Sequence, residues 1–192
     1  MSVKLGVVMD PIEKVNYKKD STMAMLWAAA DRGWEISYLT PRDIFLDQGE
    51  ALASMSPLSV YRDPDHFFEK GEQSTRALSD LDVILMRKDP PFDNEYVYTT
   101  YMLEVAERKG TLIVNRCASL RDCNEKVFAT QFPQCCPPVL VSADNDRLKA
   151  FYGEHGDVIF KPLDGMGGSA IFRVKPEDPN LNVIPVSYTH LT

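Results

Sequence analysis

Two strand-helix-strand patterns in the first 115 residues constrain the fold more than any other feature of the sequence. In the first, residues 3–39, the helix can be capped by Asp20 or Ser21. In the second, residues 82–115, the helix follows Asp93. Parallel strands need a crossover of this kind, and the helix usually supplies it. The patterns therefore predict an α/β fold with an open parallel sheet.

Charged residues follow two of these predicted strands. Asp10 comes after the first strand, and Arg87 and Lys88 end the apolar run that begins at Val83. In open parallel sheets, ligands bind outside the carboxyl ends of the strands. We therefore expect one binding site at this edge of the sheet.

The balance of charges excludes several classes of partner. The chain has 192 residues, with 21 Lys and Arg against 28 Asp and Glu, a formal charge of −7. This leaves no basic surface for nucleic acid or for an anionic membrane. No apolar stretch approaches the roughly 18 residues that a membrane-spanning helix needs, and no secretory signal precedes Asp10. We expect a cytoplasmic protein.

The cysteines and histidines do not predict a metal centre. Four cysteines and three histidines are present, and none has the spacing of a zinc site. The cysteines are Cys117, Cys123, Cys135 and Cys136. We expect reduced thiols and no transition-metal site.

A second domain is expected to begin near residue 122. Its predicted elements are a short helix over 121–131, a strand over 139–142, a helix over 145–155 and strands over 157–163 and 170–174.

A glycine-rich loop follows Lys161 in this second region. Asp164 to Gly168 reads DGMGG, and glycines let backbone N–H groups approach an anion closely. A nearby lysine adds a point charge to such a phosphate site. The loop is neither a P-loop nor a GxGxxG turn. On spacing alone, a plain hairpin turn is the stronger interpretation and phosphate binding is the alternative.

A family resemblance adds to these observations. Lys161 with its glycine loop, and Lys126 on the preceding helix, resemble the two nucleotide-contacting lysines of ATP-grasp ligases. Further segments are similar to bacterial glutathione synthetase over nearly the whole chain, to about Ile184. They are Gly6 to Pro11, Lys18 to Ser21, Asp82 to Asp93 (with RKDPPFD) and Lys161 to Gly168 (KPLDGMGG).

The resemblance implies a domain plan and a reaction. Residues 1–122 would form the open parallel-sheet (pre-ATP-grasp) substrate domain, and residues 123–184 the first, incomplete part of an ATP-grasp domain. The enzyme would ligate γ-glutamylcysteine to glycine through an acyl phosphate, the second step of glutathione biosynthesis. ATP and Mg²⁺, with Mn²⁺ as a possible substitute, would be required, and the full-length enzyme would be a homo-oligomer.

The resemblance also implies roles for named residues. The ATP-binding candidates are Lys126, Lys161, Gly165, Met166, Gly167 and Gly168. Lys18 and Arg87 are candidates for holding carboxylates of γ-glutamylcysteine, because the planar guanidinium suits bidentate binding. Without the resemblance, Lys18 is equally well a solvated lysine, and Arg87 an ion-pair partner of Asp89 or Asp93.

The end of the chain departs from the family pattern. The family continues further, and its later portion is expected to carry the Mg²⁺ ligands, so no metal ligand is predicted here. Residues 185–192 look like translated cloning sequence. We expect the chain alone to be inactive. The alternatives are another ATP-grasp carboxylate-amine ligase, or a nucleotide-binding module without catalysis.

Overall fold

A computed structural model describes residues 2–88, 91–165, 168–176 and 178. The chain divides into two compact units, Met1–Arg121 and Asp122–Thr192. Residues 185–192, expected to be foreign sequence, lie outside the described residues.

The first unit is built from a sheet and two main helices. Its elements are β1 (Lys4–Met9), α1 (Ser21–Asp31), β2 (Glu35–Leu39), β3 (Ile44–Asp47), β4 (Glu50–Val60), β5 (Phe68–Lys70), β6 (Ser74–Ala77), β7 (Val83–Arg87), α2 (Asn94–Arg108) and β8 (Leu112–Val114), followed by α3 (Cys117–Asp122).

The sheet of the first unit has the order β3-β4-β2-β1-β7-β8 among the described strands. Strands β2, β1, β7 and β8 are parallel, which confirms the predicted parallel sheet. Strands β3, β5 and β6 all pair antiparallel with β4. The sequence predicted only a hairpin and a surface excursion over residues 43–76, and this was incomplete. Ala51, Ala53 and Met55 alternate with less buried neighbours, so the long strand β4 buries one face.

The two helices cover opposite faces of the parallel strands. Val7 and Met9 of β1 belong to the apolar cluster that contains Leu26 of α1. Val8, between them, belongs to the cluster that contains Leu103 of α2. Successive side chains of a strand point to opposite faces, so one short strand contributes to both cores.

Side-chain caps begin both helices where the sequence predicts them. The carboxylate of Asp20 accepts hydrogen bonds from the backbone N–H of Thr22 at 2.6 Å and of Met23 at 3.3 Å. Asp93 accepts from the N–H of Tyr96 at 2.9 Å. These bonds satisfy N–H groups that the first helical turn leaves without partners.

The centre of the sheet is a point where the strand order reverses. β1 has β2 on one side and β7 on the other. Such a reversal opens a crevice at the carboxyl ends of the strands. Here Lys88, which follows β7, forms an ion pair with Asp10, which follows β1, at 2.9 Å.

The second unit is smaller. Its described elements are α4 (Glu125–Phe128), 3₁₀ turns at Ala129–Gln131 and Pro133–Cys135, α5 (Asn145–His155), and the antiparallel strands β9 (Val158–Phe160) and β10 (Phe172–Val174). Leu148, Val158, Phe160 and Val174 form its buried cluster.

Two predicted elements of this unit differ in the structure. The helix expected over 121–131 is interrupted, because the side chain of Asn124 accepts from the N–H groups of Lys126 and Val127 and starts a new helix. The strand expected over 139–142 is absent except for a single bridge at Ser142. Two prolines precede it, and Val139 is exposed, so little burial favours a strand. No described helix is long and apolar enough to cross a membrane.

Candidate functional site

A cavity of about 860 Å³ lies within the second unit. Lys126, Lys161, Gly165 and Gly168 line it, so the structure brings together four of the six residues that the sequence suggests for ATP. Met166 and Gly167, the other two, lie outside the described residues. The cavity has the size of a typical small-ligand pocket.

The rest of the cavity wall is largely apolar. Carbon-rich side chains come from the connector, from α5, from β9 and from the residue before β10: Pro137, Pro138, Val139, Leu140, Phe151, Ile159 and Ile171. Two cations beside an apolar wall suit a ligand that is charged at one end and flat and apolar at the other. A nucleotide has this character.

Lys126 is held in the cavity wall by three hydrogen bonds. Its Nζ donates to the main-chain oxygens of Gly165 at 2.8 Å and Leu163 at 3.2 Å, and to Oε1 of Glu125 at 2.8 Å. The side chain is only 12% exposed. The hydrogen bond from Lys126 lowers the pKa of the Glu125 carboxyl. The ammonium therefore connects α4 to the glycine loop.

Asn124 supports the same connection. Its Oδ1 caps α4 through the N–H groups of Lys126 at 3.0 Å and Val127 at 3.2 Å. Its Nδ2 donates to the oxygen of Leu163 at 3.0 Å. Asn124 was not among the residues predicted from the sequence, although an asparagine directly before a short helix is a recognised capping signal.

The loop after β9 requires glycine at two described positions. A Cβ on Gly165 would lie 2.6 Å from Cγ of Pro162, so a larger residue would displace the loop. Gly168 has φ +80°, a conformation that other residues adopt rarely. Lys161 precedes this loop and is half-buried. Gly165 thus allows the loop backbone to stay within hydrogen-bond distance of Lys126.

The described residues do not supply a metal site. Among them, no group of three or more His, Cys, Asp or Glu side chains could hold a metal ion.

The substrate candidates of the first unit lie near the start of α1. Nη2 of Arg87 donates to Oγ of Ser21 at 2.8 Å, and its Nε donates to Oγ1 of Thr22 at 3.2 Å. Lys18 is exposed in the turn before α1, where its backbone N–H donates to Oδ1 of Asn16 at 3.2 Å. Within the described residues, Lys18 and Arg87 share no hydrogen-bond partner.

The ion pairs expected for Arg87 as an alternative involve Asp89 or Asp93. The carboxylate of Asp93 caps α2, and no ion pair with Arg87 is formed by it or by any other carboxylate in the described residues. Asp89 lies outside the described residues. Among what is described, Arg87 is held by two neutral hydroxyls.

Several residues of these sites carry no sequence signal. Cys136, Phe151 and His155 reach the cavity from segments that no motif connects. Ser21 was noted as a possible helix cap and as the end of the segment Lys18 to Ser21, and Thr22 was not predicted. Their contacts arise from packing between distant segments, so a single sequence does not reveal them.

Family models and sequence relatives point to the same protein family. Residues 3–121 match the family model for the N-terminal domain of prokaryotic glutathione synthetase, and residues 125–191 match the model for its ATP-grasp domain. Glutathione synthetase from Pseudomonas syringae pv. tomato is 60% identical over 184 residues, and that from Pseudomonas aeruginosa is 59% identical over 184 residues. Each match covers 96% of this chain and 58% of the relative.

Solved structures show the same fold at low identity. A RimK domain ATP-grasp protein from Sphaerobacter thermophilus is 16% identical with a TM-score of 0.57, covering 98% of this chain and 62% of that one. The ATP-grasp ligase PsnB was solved with a phosphomimetic variant of its minimal precursor, Mg and ADP. It is 17% identical with a TM-score of 0.56, and the match covers 99% of this chain and 63% of PsnB.

The chain spans about 58% of the length of the two Pseudomonas relatives. Both family models together match nearly all of it. This chain therefore belongs to the prokaryotic glutathione synthetase family.

Proposed function

We propose that the full-length protein carrying this chain is an ATP-dependent ligase that joins γ-glutamylcysteine to glycine, yielding glutathione, ADP and phosphate. Here the full-length protein means this chain together with the portion of the relatives' sequence that the chain does not cover. The observation that carries the proposal is the meeting of Lys126, Lys161, Gly165 and Gly168 at one cavity.

The two lysines suit the first chemical step. The cysteinyl carboxylate attacks the terminal phosphorus of ATP, a P–O bond to ADP breaks, and an acyl phosphate forms. This step brings negative charges together, so positioned cations lower its barrier. Lys126 and Lys161 supply two of them. Mg²⁺ or Mn²⁺ would add charge neutralisation when bound, although no group of three or more His, Cys, Asp or Glu side chains among the described residues could hold a metal ion.

The glycine loop suits the second step. The amine of glycine attacks the acyl carbon, and phosphate leaves. Water would compete for the same carbon, and a loop that closes over the phosphates excludes it. We assign this role to the loop of residues 165–168.

Lys18 and Arg87 are proposed to hold the carboxylates of γ-glutamylcysteine. Both belong to the first unit, at the end of the sheet where the N-terminus of α1 lies. The guanidinium of Arg87 is bound by neutral hydroxyls among the described residues, so its charge remains for an anion.

The proposal includes the cellular location and the oligomeric state of the enzyme. We place it in the cytoplasm, acting on small molecules and assembled as a homo-oligomer. Gel filtration of the full-length protein tests the assembly, and a mass equal to one chain would contradict it.

An assay with each substrate omitted tests the reaction. The full-length protein should release ADP and form glutathione only when ATP, γ-glutamylcysteine and glycine are all present. Product from a different acid or amine, with γ-glutamylcysteine unable to compete, would indicate another ATP-grasp ligase. ATP binding without any ADP would indicate a non-catalytic module. The 192-residue chain is the control and should not turn over.

A further inference from the structure

Arg87 is fixed by the first turn of α1. Its Nε donates to Oγ1 of Thr22 at 3.2 Å and its Nη2 to Oγ of Ser21 at 2.8 Å. These residues are 65 and 66 positions apart from Arg87 in sequence. The contacts therefore depend on the fold and not on local chain geometry.

The first turn of α1, which carries both hydroxyls, is anchored to the rest of the unit. Thr22 is 3% exposed, and its N–H donates to the capping carboxylate of Asp20 at 2.6 Å. Met23 and Leu26, on the same helix, are fully buried against the sheet. Neither the helix nor its first turn can shift without disturbing this packing.

The two bonds select one edge of the guanidinium. Nε and Nη2 form one edge, and both of its outward N–H groups are directed to hydroxyls. The other edge consists of Nη1 and the second N–H of Nη2. It has no hydrogen-bond partner among the described residues. Two parallel N–H groups on one edge match the two oxygens of a carboxylate.

We propose that Ser21 and Thr22 are positioning residues, which orient Arg87 so that its outer edge binds a substrate carboxylate. This inference rests on the proposed function, because that function supplies the carboxylate. Hydroxyls serve better here than carboxylates would, since they orient the guanidinium without neutralising its charge.

Kinetics of the full-length enzyme test the inference. Thr22→Val keeps the shape of the buried side chain and removes the acceptor, and Ser21→Ala changes an exposed residue of the first turn. The double variant should raise the KM for γ-glutamylcysteine about tenfold, as expected for losing hydrogen bonds to a charged group. The kcat and the KM values for ATP and glycine should stay within about twofold. Thr22→Ser is the matched control and should behave as wild type.

A double-mutant cycle separates positioning from a structural effect. In an Arg87→Ala background, the two substitutions should cause no further rise in KM. A rise of the same size there, or an equal rise in all three KM values, would overturn the inference. If Thr22→Val does not fold, Ser21→Ala alone provides the same comparison.

The controls also separate this inference from the proposed function. If Arg87→Ala leaves the KM for γ-glutamylcysteine unchanged, the substrate assignment fails and the inference fails with it. If Arg87→Ala raises that KM while the hydroxyl variants do not, only the inference fails.

Discussion

The ammonium of Lys126 donates a hydrogen bond to the main-chain oxygen of Gly165 at 2.8 Å, across 39 residues of sequence. With Leu163 and Glu125 as its other acceptors, all three N–H donors of the ammonium are in use. A phosphate oxygen that takes one of them must compete with the loop. Lys126 thus combines two roles, because it is a cation in the cavity and also holds the glycine loop.

Removing the ammonium should loosen the loop. Lys126→Met keeps the aliphatic stem but loses the hydrogen bonds to Gly165 and Leu163. Hydrogen exchange in the segment 161–165 should become about tenfold faster, which corresponds to about 1.4 kcal/mol of local stability. The 192-residue chain is suitable for this measurement.

Lys149 of α5 provides the control for that experiment. It belongs to the same unit but does not line the cavity. Lys149→Met should leave exchange in the loop unchanged. Equal effects of the two substitutions would show that the hydrogen bonds of Lys126 do not hold the loop.

Nucleotide binding should protect Cys136 from alkylation. Cys136 lines the cavity, whereas Cys123 is exposed and does not line it. In the full-length enzyme, ATP at ten times its Kd should slow modification of Cys136 by iodoacetamide about tenfold, in proportion to the unoccupied fraction. Modification of Cys123 should not change. Peptide mass spectrometry distinguishes the two, and equal rates with and without ATP would place the nucleotide elsewhere.

The buried thiol of Cys117 should make stability fall at alkaline pH. Burial, followed by the nearby Glu107, raises the pKa of Cys117 to about 12, whereas an unfolded cysteine has a pKa of about 8.5. The folded state therefore disfavours the thiolate. The contribution of the neutral thiol to the free energy of unfolding is fully present below about pH 8.5. This contribution is lost as the pH rises toward 12.

Urea unfolding at pH 8 and pH 10 measures this loss. The free energy of unfolding should fall by about 2 kcal/mol more in the wild type than in Cys117→Ala, following 1.36 kcal/mol per pKa unit. Identical pH dependence in the two proteins would mean that the thiol ionises without penalty in the fold.

Local signals predicted part of this structure well. Asp20 and Asp93 are capping residues next to helical apolar patterns, and both caps form where the sequence places them. Val83 to Met86 is an apolar run between polar residues, and it forms the buried part of β7. In these places the local preference agrees with the final packing.

Other features depend on contacts between distant segments. The antiparallel strands over residues 44–77 are stabilised by pairing with β4, and short strands of mixed composition give little signal alone. The predicted strand over 139–142 had suitable residue types but finds no such partner beyond one bridge.

In the candidate site too, some residues were predicted from the sequence and others were not. Lys126 and Lys161 were identified through the family resemblance, and both line the cavity. Asn124 was not identified although it is a local capping signal, because its second hydrogen bond, to Leu163, is made across 39 residues. Cys136 was not identified because its place in the cavity wall follows from the folding of the connector. The assignment of Lys126 and Lys161 to nucleotide binding remains a prediction.

The most direct test of the central claim is the effect of Lys161→Ala on the full-length enzyme. If the cavity binds the nucleotide and Lys161 stabilises the transferring phosphoryl group, kcat/KM should fall by about 10²-fold or more, as for the loss of one preorganised donor. Lys149→Ala is the matched control and should be close to wild type. An unchanged rate for Lys161→Ala would contradict the account, because it would remove Lys161 from the mechanism.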